Sequence, residues 1–585
     1  MFNYSNILRS KKIYTATFSA IVFSSLFSVP TTSYFWGAQY QPLFFQATVF
    51  LTSLYIIAKS IKRDLKVRVT KIDLLILLFI AYCWFNTVLR YNNFTLRNAN
   101  LMMFAYLALY FLLKFFINRK GQLKNMLYVA IAYGVINSII GFLQVTGLYP
   151  IIYTPFIMTG AFNNPAQLAG FLVGILPLVF ILKPKSRRLD LLFWVIILLF
   201  LTVIIVTGSR AAILSSIVIF IFYLLVNVEL TVGKWLWITV IVAFFGLTYL
   251  LYQLKVPSAN GRLLIWKISF AMFKEAPILG HGGGAVLQGY NCYQADYFAK
   301  GLGTSGEKIL ARNSSYLFNE PLQLLTEQGI TGFLLALLVI YEIFKRQKNA
   351  LSKATSCAYF SLISIFVFGL FSYPSDTIAI NIILLIGLAS VSITRPVFHL
   401  KNDHKIIPWC FGIIVMFFCN VKIVNAILNT WHWEIADHLC RDNEIEAFIR
   451  YKKTAPYLRY NPFFMQNYFS QLVNLHYYQE ALDLFHKNKD RFIHSSDLHI
   501  QLGYCFEKKS NFPQAEREYK ISSNITPGLL IPKYYLLKLY ISTAQHDNAA
   551  SMAKVIIKSP VIIQNQKSIQ IRREASLFLH YIKSD

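Results

Sequence analysis

The chain has 585 residues, 56% of them hydrophobic and 14% charged, with a formal net charge of +29. Apolar runs of roughly 17 to 20 residues, the length that crosses a bilayer core, recur through the first ~425 residues, which excludes a soluble globular protein. The excess of Lys and Arg reads as membrane topology and not as a nucleic-acid surface, because those residues fall mostly in short loops between the runs.

About 13 spans are expected, each a helix, because backbone groups in lipid must find partners within their own segment. They start near Ile13, Pro42, Ile72, Ala99, Met126, Ala166, Leu191, Ala211, Trp235, Ile330, Ala354, Ile378 and Ile406. The first run, Ile13 to Val29, follows Arg9, Lys11 and Lys12. It is read as a retained anchor and not as a cleaved signal, since many spans follow. Every second loop is basic: "KSIKRDLKVRVTK", "NRKGQLKN", "KPKSRRLD", "KRQKNALSK" and "RPVFHLKNDHK". These are placed in the cytoplasm with the N-terminus, and the less basic "RYNNFTLRN" and "YPSDTIA" face outward. "VNVELTVGK", with a single Lys, is the weak member of the inner set. Cys83, Cys357, Cys410 and Cys419 lie in spans, where a thiol behaves as a small apolar group, and the seven Cys show no zinc or redox spacing.

Arg210, in "VTGSRAAILSS", falls between spans seven and eight at the outer surface with almost no loop to hold it. A charge at that depth is costly and so marks a functional candidate; the alternative is an Arg snorkelling to lipid phosphates. The outward connection 253–329, between spans nine and ten, is unusually long, and connections of that length commonly carry function. In it Arg262, Lys267 and Lys274 lie on an expected helix, followed by the glycine-rich turn Gly280 to Gly284 with His281 inside it. Bare glycine amides can approach an anion, or the glycines can serve a sharp turn against the membrane. The connection ends in "SSYLFNEPLQLLTEQGITGF", an acidic and amide-rich helix with Glu320 and Glu327 that runs into apolar sequence.

Beyond about Val424 the chain turns mixed, charged and helical. Ala447, Ala481, Ala515 and Ala549 recur at intervals of 34, and Tyr451, Phe485 and Tyr519 follow the first three at a spacing of four. Leu502, Gly503, Phe506, Ala515, Tyr519 and Pro527 have the spacing of a tetratricopeptide repeat, in which small Ala lets two helices close and the aromatic fills the groove beside it. The organisation expected is a membrane domain over 1–425 and an α-solenoid over 426–585, the latter outside the cytoplasm by span parity. Stacked helix pairs build a concave surface for a protein partner; the alternative is a packing or assembly module.

Four stretches together resemble the O-antigen ligase and protein O-oligosaccharyltransferase superfamily, which includes O-antigen polymerase-like proteins: "FNNPAQLAGFL", "GSRAA", the "GRLLIW…APILGHGGG" run and the stretch ending at Phe333. The family's motif in the last is His, then Asn, Ser or Gln, nine residues, Gly, two residues, and Gly, Thr or Trp. Here it reads Phe318, Asn319, nine residues, Gly329, Ile330, Thr331 and Gly332. The resemblance covers roughly residues 10 to 420.

That resemblance implies an all-α, GT-C-like glycosyltransferase in the inner membrane of a bacterium. It would pass a glycan from a polyprenyl-pyrophosphate carrier to an acceptor hydroxyl at the periplasmic face, with no nucleotide sugar, cofactor or required metal. The acceptor would be a lipid A-core sugar or a Ser/Thr of an exported protein. Arg210 matches, and Arg262 matches more loosely, the arginines that hold the pyrophosphate; Lys267, His281 and Glu327 join them as donor-binding candidates. Phe318 replaces the motif histidine and cannot accept a proton, so Glu320 is the expected base or acceptor-orienting group, with Glu327 and His281 behind it. Glu320 can instead be a first-turn charge on the helix dipole, and Asn319 either binds a sugar hydroxyl or caps the helix. The other readings are a polysaccharide polymerase, a lipid transporter and a non-catalytic envelope scaffold. A transporter calls for ionisable residues in the middle of several spans, whereas here most charges flank them and Lys114 lies near a span end.

Overall fold

The computed structural model describes residues 34–60, 69–91, 98–117, 121–151, 156–182, 187–227, isolated positions between 242 and 253, 255–345, 351–395, 397–398, 406–560 and 565–584. The expected first span, from Ile13, lies outside the described residues, as does most of the one from Trp235. In chain order the helices are α1 (Tyr34–Ser60), α2 (Lys71–Tyr91), α3 (Asn98–Ile117), α4 (Gln122–Val145), α5 (Pro165–Ile175), α6 (Arg187–Val206) and α7 (Arg210–Asn227). Then come α8 (Val256–Glu275), α9 (Ala285–Ala299), α10 (Ser305–Leu310), α11 (Glu320–Phe344), α12 (Lys353–Gly369), α13 (Ile378–Ile393) and α14 (Ile406–Leu439). The C-terminal set is α15 (Glu444–Leu458), α16 (Pro462–Asn474), α17 (Tyr478–Lys487), α18 (Ser496–Lys508), α19 (Phe512–Ile525), α20 (Leu530–Ser542), α21 (His546–Lys558) and α22 (Gln566–Ser584). Among the described residues the one ladder pairs β1 (Val69–Thr70) antiparallel with β2 (Val397–Phe398).

Among the described residues six helical segments are long and apolar enough to cross a membrane: Phe35–Ala58, Lys71–Arg90, Gln122–Val145, Pro165–Leu182, Glu320–Phe344 and Gly412–Leu439. Shorter apolar stretches lie in α3, α6, α7, α12 and α13. The described residues form two compact units: one of those up to Leu251 with Phe318–Pro321 and Ile330–Thr430, the other of Tyr252–Leu317, Leu322–Gly329 and Trp431–Asp585.

In the first unit α5 is the central helix. Asn164 caps it by accepting the Ala166 N–H at 2.8 Å, and Pro165 starts it with the φ a helix needs. Its glycines let neighbours close in. A Cβ at Gly170 would stand 2.4 Å from the Phe368 ring of α12, and one at Gly174 would stand 3.2 Å from Ile365. Helices that cannot use the hydrophobic effect against lipid pack by such close backbone approach. Past Ile175 the chain tightens into a 3-10 helix, Leu176–Leu182, that contains Pro177. Pro177 has no N–H to give the Val173 carbonyl, and Ser364 supplies the missing donor at 2.6 Å. Ser361 likewise donates to the Gly174 carbonyl, and Ser215 of α7 donates to the Ser364 carbonyl at 2.6 Å. Side-chain hydroxyls thus repair a broken backbone ladder where water cannot.

The same unit buries an ion pair. Asp73 of α2 is fully buried, and its carboxylate accepts from Lys114 of α3, itself 7% exposed. The Tyr110 hydroxyl donates to Asp73 at 2.6 Å, Ser392 of α13 at 3.0 Å and the Thr70 N–H at 2.6 Å. One carboxylate therefore gathers α2, α3, α13 and the short ladder. A lone lysine near a span end gave no hint of this partner.

The apolar clusters of the second unit include the following two. Leu264, Ile268, Val286, Tyr290, Phe298, Ala311 and Leu317 form the core of the segment 252–317. Tyr519, Leu536, Leu539, Ala549, Ala553 and Ile556 belong to the core of the C-terminal helices. The Ala residues at 447, 481, 515 and 549 are all fully buried. Helix α9 packs on α19, and Gln294 ties them by donating to the Ile525 carbonyl at 2.6 Å.

Removing one partner of a buried ion pair strands the other. Lys114→Met is therefore expected to cost roughly 3–5 kcal/mol of stability. A thermal melt of the detergent-solubilised protein checks this, and a variant that melts with the wild type would show the pair to be dispensable.

Candidate functional site

Arg210 is set by a three-residue turn. Helix α6 closes with the Thr207 N–H on the Val203 carbonyl at 2.9 Å and the Gly208 N–H on the Ile205 carbonyl at 2.9 Å. Gly208 then takes φ 63, the left-handed conformation that reverses the chain without a Cβ clash. The Ser209 carbonyl accepts from Ala212 and Ile213, so α7 begins at once with half-buried Arg210 as its first residue. A cation at the positive end of a helix is electrostatically unfavourable by itself. Together with the positive end of the helix dipole it makes a local concentration of positive charge suited to an anion.

Phe318, Asn319 and Glu320 face the 370–376 segment of the same unit. Phe318 holds φ 54, an outlier for a bulky residue, and its ring stands edge-on to Tyr373 with centroids 5.3 Å apart. The Asn319 side-chain amide donates to the Leu370 carbonyl at 3.1 Å. Glu320 opens α11; its Oε1 accepts from the Ser375 N–H at 3.0 Å and the Ser375 hydroxyl at 2.7 Å. The Ser375 carbonyl in turn accepts from Asn381 at 2.7 Å, and Asn381 also donates to the Tyr106 hydroxyl at 2.9 Å. Ser375 and Asp376 are exposed while Glu320 is half-buried, so the carboxylate is fixed at one oxygen near a polar surface. Ser375 and Tyr373 were not singled out from sequence; "YPSDTIA" read only as an outward loop.

The glycine-rich turn has a defined use. The His281 N–H donates to the Thr326 carbonyl at 3.0 Å and the Gly282 N–H to the Glu327 carbonyl at 2.8 Å. The Gly280 N–H closes on Ala276 at 2.9 Å. A Cβ at Gly280 would stand 2.5 Å from the Glu327 backbone, and one at Gly329 would stand 2.2 Å from the Ile278 carbonyl oxygen. Gly329 also breaks α11, at φ 65 and ψ −173. The glycines thus let two backbones touch, and the amides of Gly280, His281 and Gly282 are spent on protein carbonyls and not held open for an anion. Of the two sequence readings, the sharp turn describes these three amides. The turn sets His281 against the Thr326 backbone, one residue from Glu327, and the His281 ring meets the Met272 carbonyl through Nε2 at 2.7 Å.

On α8, Arg262 is half-buried, and Lys267 is already engaged. Lys267 donates to the Tyr297 hydroxyl at 2.7 Å and to Glu307 at 3.1 Å, bonds that raise its pKa. Burial pushes the Glu307 carboxyl up, but the Thr304 N–H, Lys267 and Tyr297 outweigh it and leave it below its usual value. Thr304 and Glu307 also form a reciprocal capping box on α10.

A family model described as O-antigen ligase matches residues 194–337, a stretch that holds Arg210, Arg262, Lys267, His281, Asn319, Glu320 and Glu327. No curated protein matches the chain. The central segment is therefore similar to a family of glycan-transferring ligases, and with six apolar helices of spanning length the chain is a membrane protein.

The backbone contact at Gly329 admits no side chain. Gly329→Ala is expected to cost at least about 1–3 kcal/mol from the forbidden dihedrals alone. Limited proteolysis around residues 278–284 reads the loosening. Gly289→Ala, in a helix with open space at its Cβ, is the control and should leave the segment as resistant as in the wild type.

Proposed function

We propose that this protein is a membrane glycosyltransferase that moves a glycan from a polyprenyl-pyrophosphate carrier to an acceptor hydroxyl at the periplasmic face of the inner membrane. The observation that carries the reading is Arg210: a cation at the N-terminus of an apolar helix, inside the segment similar to O-antigen ligases. In the step proposed, the acceptor oxygen attacks the anomeric carbon, the bond from that carbon to the pyrophosphate oxygen breaks, and the carrier pyrophosphate leaves. Negative charge grows on the leaving oxygen, and a guanidinium meets it with two parallel hydrogen bonds. Arg262 is proposed as a further donor-binding cation, with His281 and Glu327 in supporting roles; Lys267, held by Glu307 and Tyr297, is a weaker candidate.

The acceptor proton goes to Glu320. Its position directly after Asn319, on the motif where the family carries a histidine two residues earlier, supports the assignment. So does its fixed orientation on Ser375. The strained Phe318 that precedes them is the kind of outlier that clusters at functional sites. Asn319 would orient a sugar hydroxyl.

The helices from Glu444 onward are read as a tetratricopeptide-like array. The four in-phase alanines are buried, and a Cβ at Gly503 would stand 2.4 Å from the Tyr519 ring, as close helix pairing with an aromatic filler requires. Such an array suits recognition of a protein partner or a protein acceptor, alongside a lipid A-core acceptor.

Transfer is measured in cells lacking the chromosomal copy, by the sugar content of lipopolysaccharide and of exported glycoproteins. Arg210→Ala should lower it by roughly 10²–10³-fold, the loss typical of one transition-state donor. Glu320→Gln should lower it by about 10²–10⁴-fold, as for a general base. Wild-type transfer by Arg210→Ala at normal expression would overturn the enzymatic reading in favour of a scaffold.

A further inference from the structure

We propose that Cys292, His494 and His499 form a binding site for zinc or a chemically similar divalent metal, joining α9 to the C-terminal helices. Cys292 lies on α9, His494 in the loop before α18 and His499 in the first turns of α18. The three ligand atoms all lie within 4.8 Å of one another. The His494 Nδ1 and His499 Nε2 stand 3.4 Å apart. That is long for an N–H···N hydrogen bond, whose usual range ends near about 3.2 Å. It matches the edge of a tetrahedron with metal–nitrogen bonds of about 2.0–2.1 Å, which is roughly 3.3–3.4 Å.

The surroundings orient the ligands. His499 uses its Nδ1 on Glu518 of α19 at 2.6 Å, which directs Nε2 toward His494. A carboxylate on the far nitrogen is the usual support of a metal-bound imidazole, fixing ring and tautomer. The His494 ring also stacks at 5.5 Å on His499. His499 is buried, and Cys292 and His494 are half-buried, so solvent reaches the cluster without flooding it. One thiolate and two imidazoles select a borderline metal such as zinc over magnesium or calcium. Binding would release the Cys292 thiol proton to solvent, leaving three protein ligands and a fourth position for water.

The site would close a seam that hydrogen bonds already mark. Gln294 reaches the Ile525 carbonyl at 2.6 Å, the His494 N–H reaches the Gln288 carbonyl at 3.2 Å, and the Ser496 N–H reaches Asn313 at 3.0 Å. A metal there ties the segment 285–317 to the helical array and serves architecture, so the proposal stands apart from the glycan-transfer reading.

The test uses the full-length protein in detergent, purified without a histidine tag. Plasma mass spectrometry should find about one zinc per chain after dialysis, lost in Cys292→Ala and His494→Gln. Cobalt-substituted wild type should show a thiolate-to-cobalt charge-transfer band that Cys292→Ala lacks. Wild type holding no more metal than both variants, or a cobalt spectrum without the thiolate band, would overturn the site and leave a hydrogen-bonded cluster.

Discussion

A polar group enclosed by apolar helices must find its partner in the protein, and the first unit is arranged around that constraint. The Asp73 carboxylate answers it most fully, accepting from Lys114, Tyr110, Ser392 and the Thr70 backbone at once. Two donors come from α3, one from α13 and one from the residue before α2, so solvating one charge fixes three helices relative to one another. The attraction alone would not repay the desolvation of both ions; the remaining hydrogen bonds make the arrangement tolerable. The serines that serve the carbonyls of α5 apply the same rule to backbone. Pro177 creates the vacancy, and α12 fills it, so a local break in one helix specifies its neighbour.

Toward the ends of the apolar helices the constraint changes sign. Polar groups can be hydrated there, and the chain is free to hold strained or costly features that a buried helix would reject. Arg210 sits at the wrong end of its helix dipole, Phe318 sits at positive φ, and Gly329 interrupts α11. Close backbone packing accounts for Gly329, but not for Arg210 or Phe318. Glu320 is also held in one direction by Ser375, with an exposed loop beside it. Fixed orientation and access together are what a group must have to act on a substrate, whereas a helix-start charge placed only for the dipole has no need of them.

Much of this architecture was legible from residues. Among the described residues apolar periodicity located helices between Pro42 and Ile406, and the 34-residue recurrence of Ala marked positions that are buried without exception. These signals are local, and local signals survive in a string. The partners of Asp73 were not legible, because Ser392 is more than three hundred residues away. The glycines of "GHGGG" were legible as a turn but not in their purpose, since the backbone they touch lies at Thr326 and Glu327. Ser375 was hidden for a related reason: a loop serine carries no pattern, and only its hydrogen bonds to Glu320 distinguish it. Cysteine spacing failed at Cys292 because its neighbours in space are histidines of a distant segment.

The second unit shows why the long connection cannot be treated as a loop. It has an apolar core of its own around Tyr290 and Leu317, and Trp266 locks its two ends by donating to the Leu317 carbonyl at 2.8 Å. Its helix α9 then lies on α19, where the Gln294 side chain donates to the Ile525 carbonyl. Arg262, Lys267 and His281 therefore belong to the same compact unit as the C-terminal helices and are not an appendage. Rigidity matters for a group meant to meet developing charge, because a donor that must first be ordered yields part of its stabilisation to that ordering. The C-terminal helices bear on the candidate donor-binding residues of α8 through α9, which packs against both α8 and α19.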